Sequence, residues 1–503
     1  MFSDPSSQMH RAVPRVSAKL VPPVCASSAL VAASRGVSQF VFGQKPMPDE
    51  LIPRNQFQPY KPAKDAGVEV TVLGNGARLV THNQEGAHAA VGIYAEAGAK
   101  YDPRSAPGLS YVMRWALMNS NFENSLFQID RTIRSAGAAF EHQEIRKRFV
   151  GWKIEARGDS WKKPAENLVI GMAVPRFPEY DVERFRDTMD NLLEEQRWQR
   201  PREYAVDMLE TVAFNREPLG NSRMVLPLSN GECSHDKLVA QWEQLCVPSR
   251  IIIAGINVPH SDLLAVYENS PYQHSATAPH HARAAAVPKL DVLSEATQYR
   301  GGSDEFEQES RAKAMSTKPN MEKETIAAVG FRSFGRDVNI KQYAASLVLQ
   351  QLADVASADG IRYDRYDSHH GIRTFYRPYS GAGLIGFTVR AAPDKVVAEI
   401  AAGVALWRGL SADAEAVNAA VQRAAVRFYH DNVEYARDYL DFVASSLAAA
   451  GTTHTTAAEV LKAINEVTPA DVQRALDIVK SDRPCLFATG ETLGMPSLRQ
   501  MGL

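Results

Sequence analysis

The first clear periodic signal along the chain begins near residue 68. Val68-Glu-Val-Thr-Val-Leu73 alternates apolar and polar positions, the period of a half-buried strand. Asn75-Gly76 follows, a pair that favours the positive backbone angles of a tight hairpin turn. Ala77 to Thr81 reads as the return strand and Ala89 to Ala95 as a third strand. A helix is expected to open around Gly108 and run to Leu117. Val182 to Gln199 is charged and amphipathic and predicts a long helix.

The pattern then recurs. Ala89-Ala-Val-Gly-Ile93 matches Ala327-Ala-Val-Gly-Phe331, and Asp236-Lys-Leu matches Asp471-Val-Gln. Pro248-Ser-Arg-Ile-Ile-Ile-Ala-Gly255 matches Arg483-Pro-Cys-Leu-Phe-Ala-Thr-Gly490. Three matches in the same order at an offset near 235 residues predict an internal duplication. A period this long excludes a solenoid repeat. The fold class expected is α+β, with two homologous domains, each an antiparallel sheet packed against helices. The seam between them lies at Gln273 to Val287, a His-, Ala- and Pro-rich stretch without period. The divisions expected are 67–272 and 295–503, joined by a linker at 273–294.

Composition narrows the partners. The chain has 503 residues, 56 Lys and Arg against 58 Asp and Glu, and a net charge of -2. That balance excludes a polycation built for nucleic acid, and no Cys/His finger spacing occurs. A membrane span needs roughly 18 or more apolar residues in a row. The best run, Val24 to Val31, is short and broken by Ser27 and Ser28. Any membrane association is therefore expected to come through partners. The four cysteines, Cys25, Cys233, Cys246 and Cys485, are scattered without C-x-x-C spacing, which points away from a disulfide scaffold.

Residues 1–48 have a different character. Arg11, Arg15, Lys19, Arg35 and Lys45 are basic, Asp4 is the sole acid, and serine and alanine fill the gaps. That composition predicts a mitochondrial targeting segment. The proline-rich stretch that follows, assigned to 49–66, reads as an extended arm.

A duplicated α+β half that opens with a strand, Asn-Gly, a strand and a Gly-initiated helix resembles the pitrilysin-like (M16) metallopeptidases. The resemblance is to the mitochondrial branch, which holds the processing-peptidase subunits and the core proteins of respiratory complex III. It is carried by Leu73-Gly-Asn-Gly-Ala-Arg-Leu79, by Val91 to Gly98 with Tyr101, and by Gly108-Leu-Ser-Tyr-Val-Met-Arg-Trp-Ala116. Ala213-Phe214 with Pro218-Leu-Gly220, Tyr299-Arg-Gly-Gly302 and Ser380-Gly-Ala-Gly-Leu-Ile-Gly-Phe387 continue it in order to the C-terminus.

Active members of that family carry H-x-x-E-H on the first helix. Two histidines one turn apart hold zinc and the glutamate activates water. The window here reads Ser110-Tyr-Val-Met-Arg114, so the resemblance puts Ser110 and Arg114 at the histidine positions and Met113 at the base. A third ligand, a glutamate further on, corresponds to Phe185. The resemblance thus implies a degenerate zinc site with no catalytic residue and no cofactor. Elsewhere, Asp364, Asp367, His369 and His370 form the most metal-like cluster, in a polar turn region that reads as a solvated loop. His82-Asn-Gln-Glu85 reads as a strand end, His142-Gln-Glu144 as surface polar residues on a strand, and His280-His281 lies in the low-complexity linker.

Two branches of the family lack the zinc motif: the peptidase α subunit and the second core protein. The α subunit carries a glycine-rich loop in its second half. The corresponding stretch, Leu352 through Asp354 to Gly360, holds one glycine and reads as a degenerate version of that loop. An arginine at the place of Arg114 also resembles the core-protein pattern. The resemblance therefore implies a non-catalytic core subunit of complex III on the matrix side of the inner membrane. Its expected partners are a homologous core 1 or processing-peptidase β-like subunit, the other complex III subunits and the second copy of the dimeric complex. The alternative is the non-catalytic α subunit of the processing peptidase.

Overall fold

A computed structural model describes residues 67–83, 88–142, 147–272, 297–300, 324–337, 339–356, 371–450 and 455–490, with a few positions beyond. The targeting segment, the proline-rich arm and the linker expected at 273–294 lie outside the described residues. So do Gly360 and the Asp364–His370 cluster.

The first half is built on a six-stranded sheet. Its strands are β1 (Gly67–Val72), β2 (Arg78–Asn83), β3 (His88–Ala95), β4 (Ala139–His142), β5 (Val150–Arg157) and β6 (Ile251–Ile256), in the spatial order β1-β2-β6-β3-β5-β4. All neighbours run antiparallel except β2 beside β6, which is parallel. The expected hairpin is present, with Gly76 at φ 88, the angle that a residue with a Cβ adopts only under strain.

The second half repeats the plan. Strands β7 (Thr325–Ser333), β8 (Gly371–Pro378), β9 (Gly383–Ala391) and β10 (Cys485–Gly490) order as β10-β7-β9-β8, all antiparallel. This is the order β6-β3-β5-β4 of the first sheet, strand for strand. The strands that carry the two Ala-Ala-Val-Gly sequences, β3 and β7, occupy the same place in each.

The helices of the first half are α1 (Leu109–Leu117), α2 (Leu126–Ser135), α3 (Lys162–Ala173), α4 (Glu179–Gln199), α5 (Pro201–Ala213), α6 (His235–Leu245) and α7 (His260–Glu268). Those of the second are α8 (Ile340–Ala356), α9 (Val396–Gly409), α10 (Ala414–Asn432), α11 (Ala436–Ala450), α12 (Ala457–Asn465) and α13 (Pro469–Ser481). One face of the first sheet buries Leu79, Val91, Ile93 and Ile253 against α1, α3 and α6, with Leu109, Leu168 and Trp242 among the residues that fill the layer.

The other face of each sheet is covered by the opposite half. Helix α5 packs its Ala205, Leu209 and Val212 on Ile326, Ala328 and Phe487 of β7 and β10. Helix α11, its counterpart in the repeat, packs Tyr439, Leu440 and Val443 on Ala90, Ile252 and Ala254 of β3 and β6. The halves therefore exchange one helix each, and their cores are closed only together. Polar contacts follow the same route: Tyr94 donates to Asp441 at 2.7 Å, and Lys153 reaches the same carboxylate at 2.9 Å.

Two expectations shift. The long helix α4 starts at Glu179, ahead of Val182, because Pro178 precedes it and Glu179 and Asp181 favour its positive first turn. The stretch from Leu352, expected as a loop, is helix as far as Ala356. Leu352 is buried in the second-half core. Asp354 is held by Arg427 at 3.0 Å and by the hydroxyl of Thr374. The apolar spacing of Leu349, Leu352 and Ala353 continues the buried face of α8 and outweighs the missing glycines.

Candidate functional site

Helix α1 positions the residues that the family resemblance singled out. Gly108 precedes it at φ 91, and a Cβ there would stand 2.8 Å from Val225 Cα. The glycine lets the chain turn into the helix beneath the 222–225 segment. The first turn is then capped by a distant carboxylate. Asp102 is fully buried and accepts from Gly108 N at 2.9 Å, Ser110 N at 2.9 Å, Ser110 Oγ at 3.0 Å and Gln241 Nε2 at 2.8 Å. Burial pushes its carboxyl up to about 7 while the four donors pull the other way.

The sequence-derived positions are distributed as follows. Ser110 is buried, and its hydroxyl is committed to Asp102. Met113 is fully buried in the core behind the helix. Arg114 turns outward, its guanidinium over the rings of Tyr111 and Trp115 at 5.1 and 5.8 Å. Phe185, on α4, is half-buried against the first-half core. These four offer one bound hydroxyl, a buried thioether, a guanidinium and a phenyl ring. None is a ligand type suited to zinc, and a guanidinium adds positive charge where a dication would be held. Among the described residues, no group of three His, Cys, Asp or Glu comes together to hold a metal ion. Ser110 and Arg114 instead share a cleft of about 120 Å³ whose other walls come from Gly98, Phe149, Gln196, Asp207, Arg223 and Arg377.

Beneath the cleft lies an ionic cluster that the sequence did not reveal. Glu210 on α5 is completely buried and receives Arg223 through two bonds, Nη2 at 2.8 Å and Nε at 3.1 Å. Lys147, equally buried, approaches the same carboxylate at 2.9 Å and donates to Leu219 O at 2.5 Å. Burial alone would raise the Glu210 carboxyl, but Arg223 and Lys147 overcome it and hold the group down at about 2. Burial lowers the Lys147 ammonium, and Glu210 opposes that shift. Asp207, one turn before Glu210, is also buried, which raises its carboxyl. Its Oδ2 accepts from Gln196 at 3.3 Å. Its Oδ1 stands 3.7 Å from Arg223 and 4.0 Å from Arg377 of β8. The cluster thus joins α5 to the loop before β5 and to a strand of the second half. These partners lie far apart in sequence, and the signal the sequence offers is a pair of acids, Asp207 and Glu210, three residues apart among apolar neighbours.

Two of the thiols are inert by position. Cys233 and Cys246 are buried, which pushes both up to about 12. Among the described residues, no helix is long and apolar enough to cross a membrane.

Comparison with known proteins agrees with this architecture. Residues 78–225 match the family described as insulinase (peptidase family M16). The chain is 24% identical over 328 residues to the mitochondrial ubiquinol–cytochrome c reductase complex core protein 2 of Euglena gracilis. That match covers 65% of this chain and 66% of the relative, just under two thirds of its length. It is 23% identical over 455 residues to the mitochondrial cytochrome b-c1 complex subunit 2 of Rattus norvegicus, covering 88% of this chain and 93% of the relative. It is 21% identical to the mitochondrial-processing peptidase subunit alpha-2 of Dictyostelium discoideum, over 86% and 94% of the two chains. The peptidase M16 match thus lies within residues 78–225, and over most of its length the chain is similar to core 2 subunits of mitochondrial complex III and to processing-peptidase α subunits.

Proposed function

We propose that this chain is a non-catalytic core subunit of respiratory complex III, a matrix-facing scaffold of the mitochondrial inner membrane. The observation that carries the non-catalytic part is the first turn of α1. The positions matching the zinc motif hold Ser110, Met113 and Arg114, and the one potential oxygen ligand is bound to Asp102. A peptidase of this kind needs three protein ligands and an activated water. We read residues 110, 113, 114 and 185 as the degenerate remnant of such a site. Similarity to complex III subunit 2 proteins over most of the chain supports the choice of complex.

In this reading residues 1–48 are the targeting segment and 49–66 an arm ordered by a neighbour. Residues 67–272 and 295–503 are the two M16-like domains, joined by 273–294. The main partner is a core 1 or processing-peptidase β-like chain, with the remaining complex III subunits supplying the membrane anchor. Obligate interfaces of this type bury about 2,000–5,000 Å² and are more apolar than transient ones.

A second reading, the α subunit of a processing peptidase, rests on the similarity to the Dictyostelium protein. Native-gel electrophoresis of gently solubilised mitochondria separates the two. Comigration of this chain with ubiquinol–cytochrome c reductase activity is expected. A small heterodimer that cleaves presequences and lacks cytochromes would replace the first reading with the second.

A further inference from the structure

We infer that the cleft between α1, α5 and β8 binds a protonated tetrahedral oxyanion, the inorganic hydrogenphosphate ion. Three guanidinium side chains, Arg114, Arg223 and Arg377, line the cleft, together with two carboxylates: Asp207, which is buried, and Glu203, which is exposed and paired with Arg200 at 3.4 Å. Arginine forks match phosphate oxygens in geometry as well as charge.

Asp207 sets the selectivity. It is 7% exposed, its Oδ2 is engaged by Gln196, and its Oδ1 accepts no hydrogen bond from any protein group. The two arginines nearest to Oδ1, at 3.7 and 4.0 Å, stand just beyond bonding range. Arg223 is held back because its fork is spent on Glu210. An ionised carboxylate can only accept, so Oδ1 calls for a ligand that brings its own donor. The positive charge of the guanidinium groups around it favours an anion. A phosphate that retains one proton offers both at once: an O–H toward Asp207 Oδ1 and anionic oxygens toward the arginines. Sulfate has the same shape and a similar charge but no proton at neutral pH, so it would set oxygen against oxygen at Asp207. The volume, about 120 Å³, is several times what one water needs. Arg377 is 32% exposed, so the cleft is open to solvent on the β8 side.

The inference stands whichever complex the chain joins, since every group named belongs to this chain. The test is isothermal titration of the full chain at pH 7 and fixed ionic strength, with sodium phosphate, O-phosphoserine and sodium sulfate as probes. Phosphate should bind at least about tenfold more tightly than sulfate, a difference of about 1.4 kcal/mol. O-phosphoserine, whose phosphate has largely lost its last proton at pH 7, should bind as weakly as sulfate, and binding as tight as that of phosphate would overturn the inference. Arg377→Gln, at a partly exposed position, should weaken phosphate about tenfold with the fold intact by circular dichroism. Asp207→Asn supplies a donor in place of an acceptor and should let sulfate approach phosphate in affinity. Equal binding of phosphate and sulfate by the native chain would overturn the inference. So would unchanged phosphate affinity in Arg377→Gln.

Discussion

Removing the charge on Glu210 tests the buried cluster most directly. Glu210→Gln keeps the size of the side chain but leaves the Lys147 ammonium and the Arg223 guanidinium without their shared carboxylate. Lys147 is fully buried and Arg223 mostly so, with 14% of its side chain exposed, and stripping a buried pair of one partner typically costs about 3–5 kcal/mol. The pH dependence gives an independent figure. The Glu210 carboxyl ordinarily titrates near 4.5 and is held at about 2 in the folded chain. A depressed acid contributes stability that is complete above its unfolded value and is lost as pH falls through the folded one. The difference corresponds to about 3 kcal/mol, gained above pH 4.5 and lost on the way to pH 2. The two estimates agree. With an unfolding entropy of about 2.1 cal/mol/K per residue, a loss of 3–5 kcal/mol lowers Tm by about 3–5 °C. Lys147→Met should cost less than half as much, because Glu210 keeps both bonds from Arg223 and an ammonium leaves the interior. Scanning calorimetry of the purified chain at pH 7 and in a series from pH 4.5 to 3 reads all of this. At pH 7 the Glu210→Gln midpoint should be clearly lower, and between pH 4.5 and 3 its slope should be flatter than that of the native chain. A Glu210→Gln midpoint within about 1 °C of the native one, or a larger loss in Lys147→Met, would refute the reasoning.

Asp102 has the opposite sign. Burial raises its carboxyl to about 7, so its ionisation makes the folded chain progressively less stable as pH rises from about 4 to 7, and Asp102→Asn should flatten that slope in the same calorimetric series. Gly386→Ala should prevent stable folding, since its Cβ would lie 2.0 Å from Val329 O in the β7–β9 pair; soluble expression of the variant near the native level would contradict it. Zinc added in excess and then dialysed away should leave well below one equivalent per chain by elemental analysis, and a retained stoichiometric zinc would sink the degenerate-site reading.

Much of the fold was legible because it is local or repeated. Alternation marked β1 to β3, Asn75-Gly76 marked the hairpin, and the recurring Ala-Ala-Val-Gly segments marked the two central strands. The start of α1 was readable from Gly108, but its cap was not. Asp102 is separated from Ser110 by a turn, and nothing in the sequence says that Gln241 completes its ring of donors. The Lys147–Glu210–Arg223 cluster was hidden for the same reason: its members belong to segments that only the folded chain brings together. The stretch after Leu352 misled because it was read through the glycine content of its relatives. Its own apolar spacing carries the helix on to Ala356.

On the proposed reading, the exchanged helices let the chain keep its architecture without a peptidase site. Helix α5 carries Asp207 and Glu210 on the side facing the cleft, and Leu209 and Val212 into the core beneath β7 and β10. Helix α11 does the reciprocal work on β3 and β6, with Asp441 tied to Tyr94 and Lys153. Neither sheet can bury its inner face without a helix from the other half, so selection for the folded shape acts on both halves together. The positions that a zinc site would need, Ser110 and Arg114, lie on one turn of α1 at the rim of the cleft. Arg114 is partly exposed and can change without opening either core, whereas Ser110 is tied to the buried Asp102. Met113 shows the limit of that freedom: it points inward, fully buried among Leu109, Val112 and Leu117, where a thioether packs and an ionised glutamate would go unpaired. A subunit whose role is to present surface gains stability from that methionine, whereas an enzyme would have to leave the same place open to water.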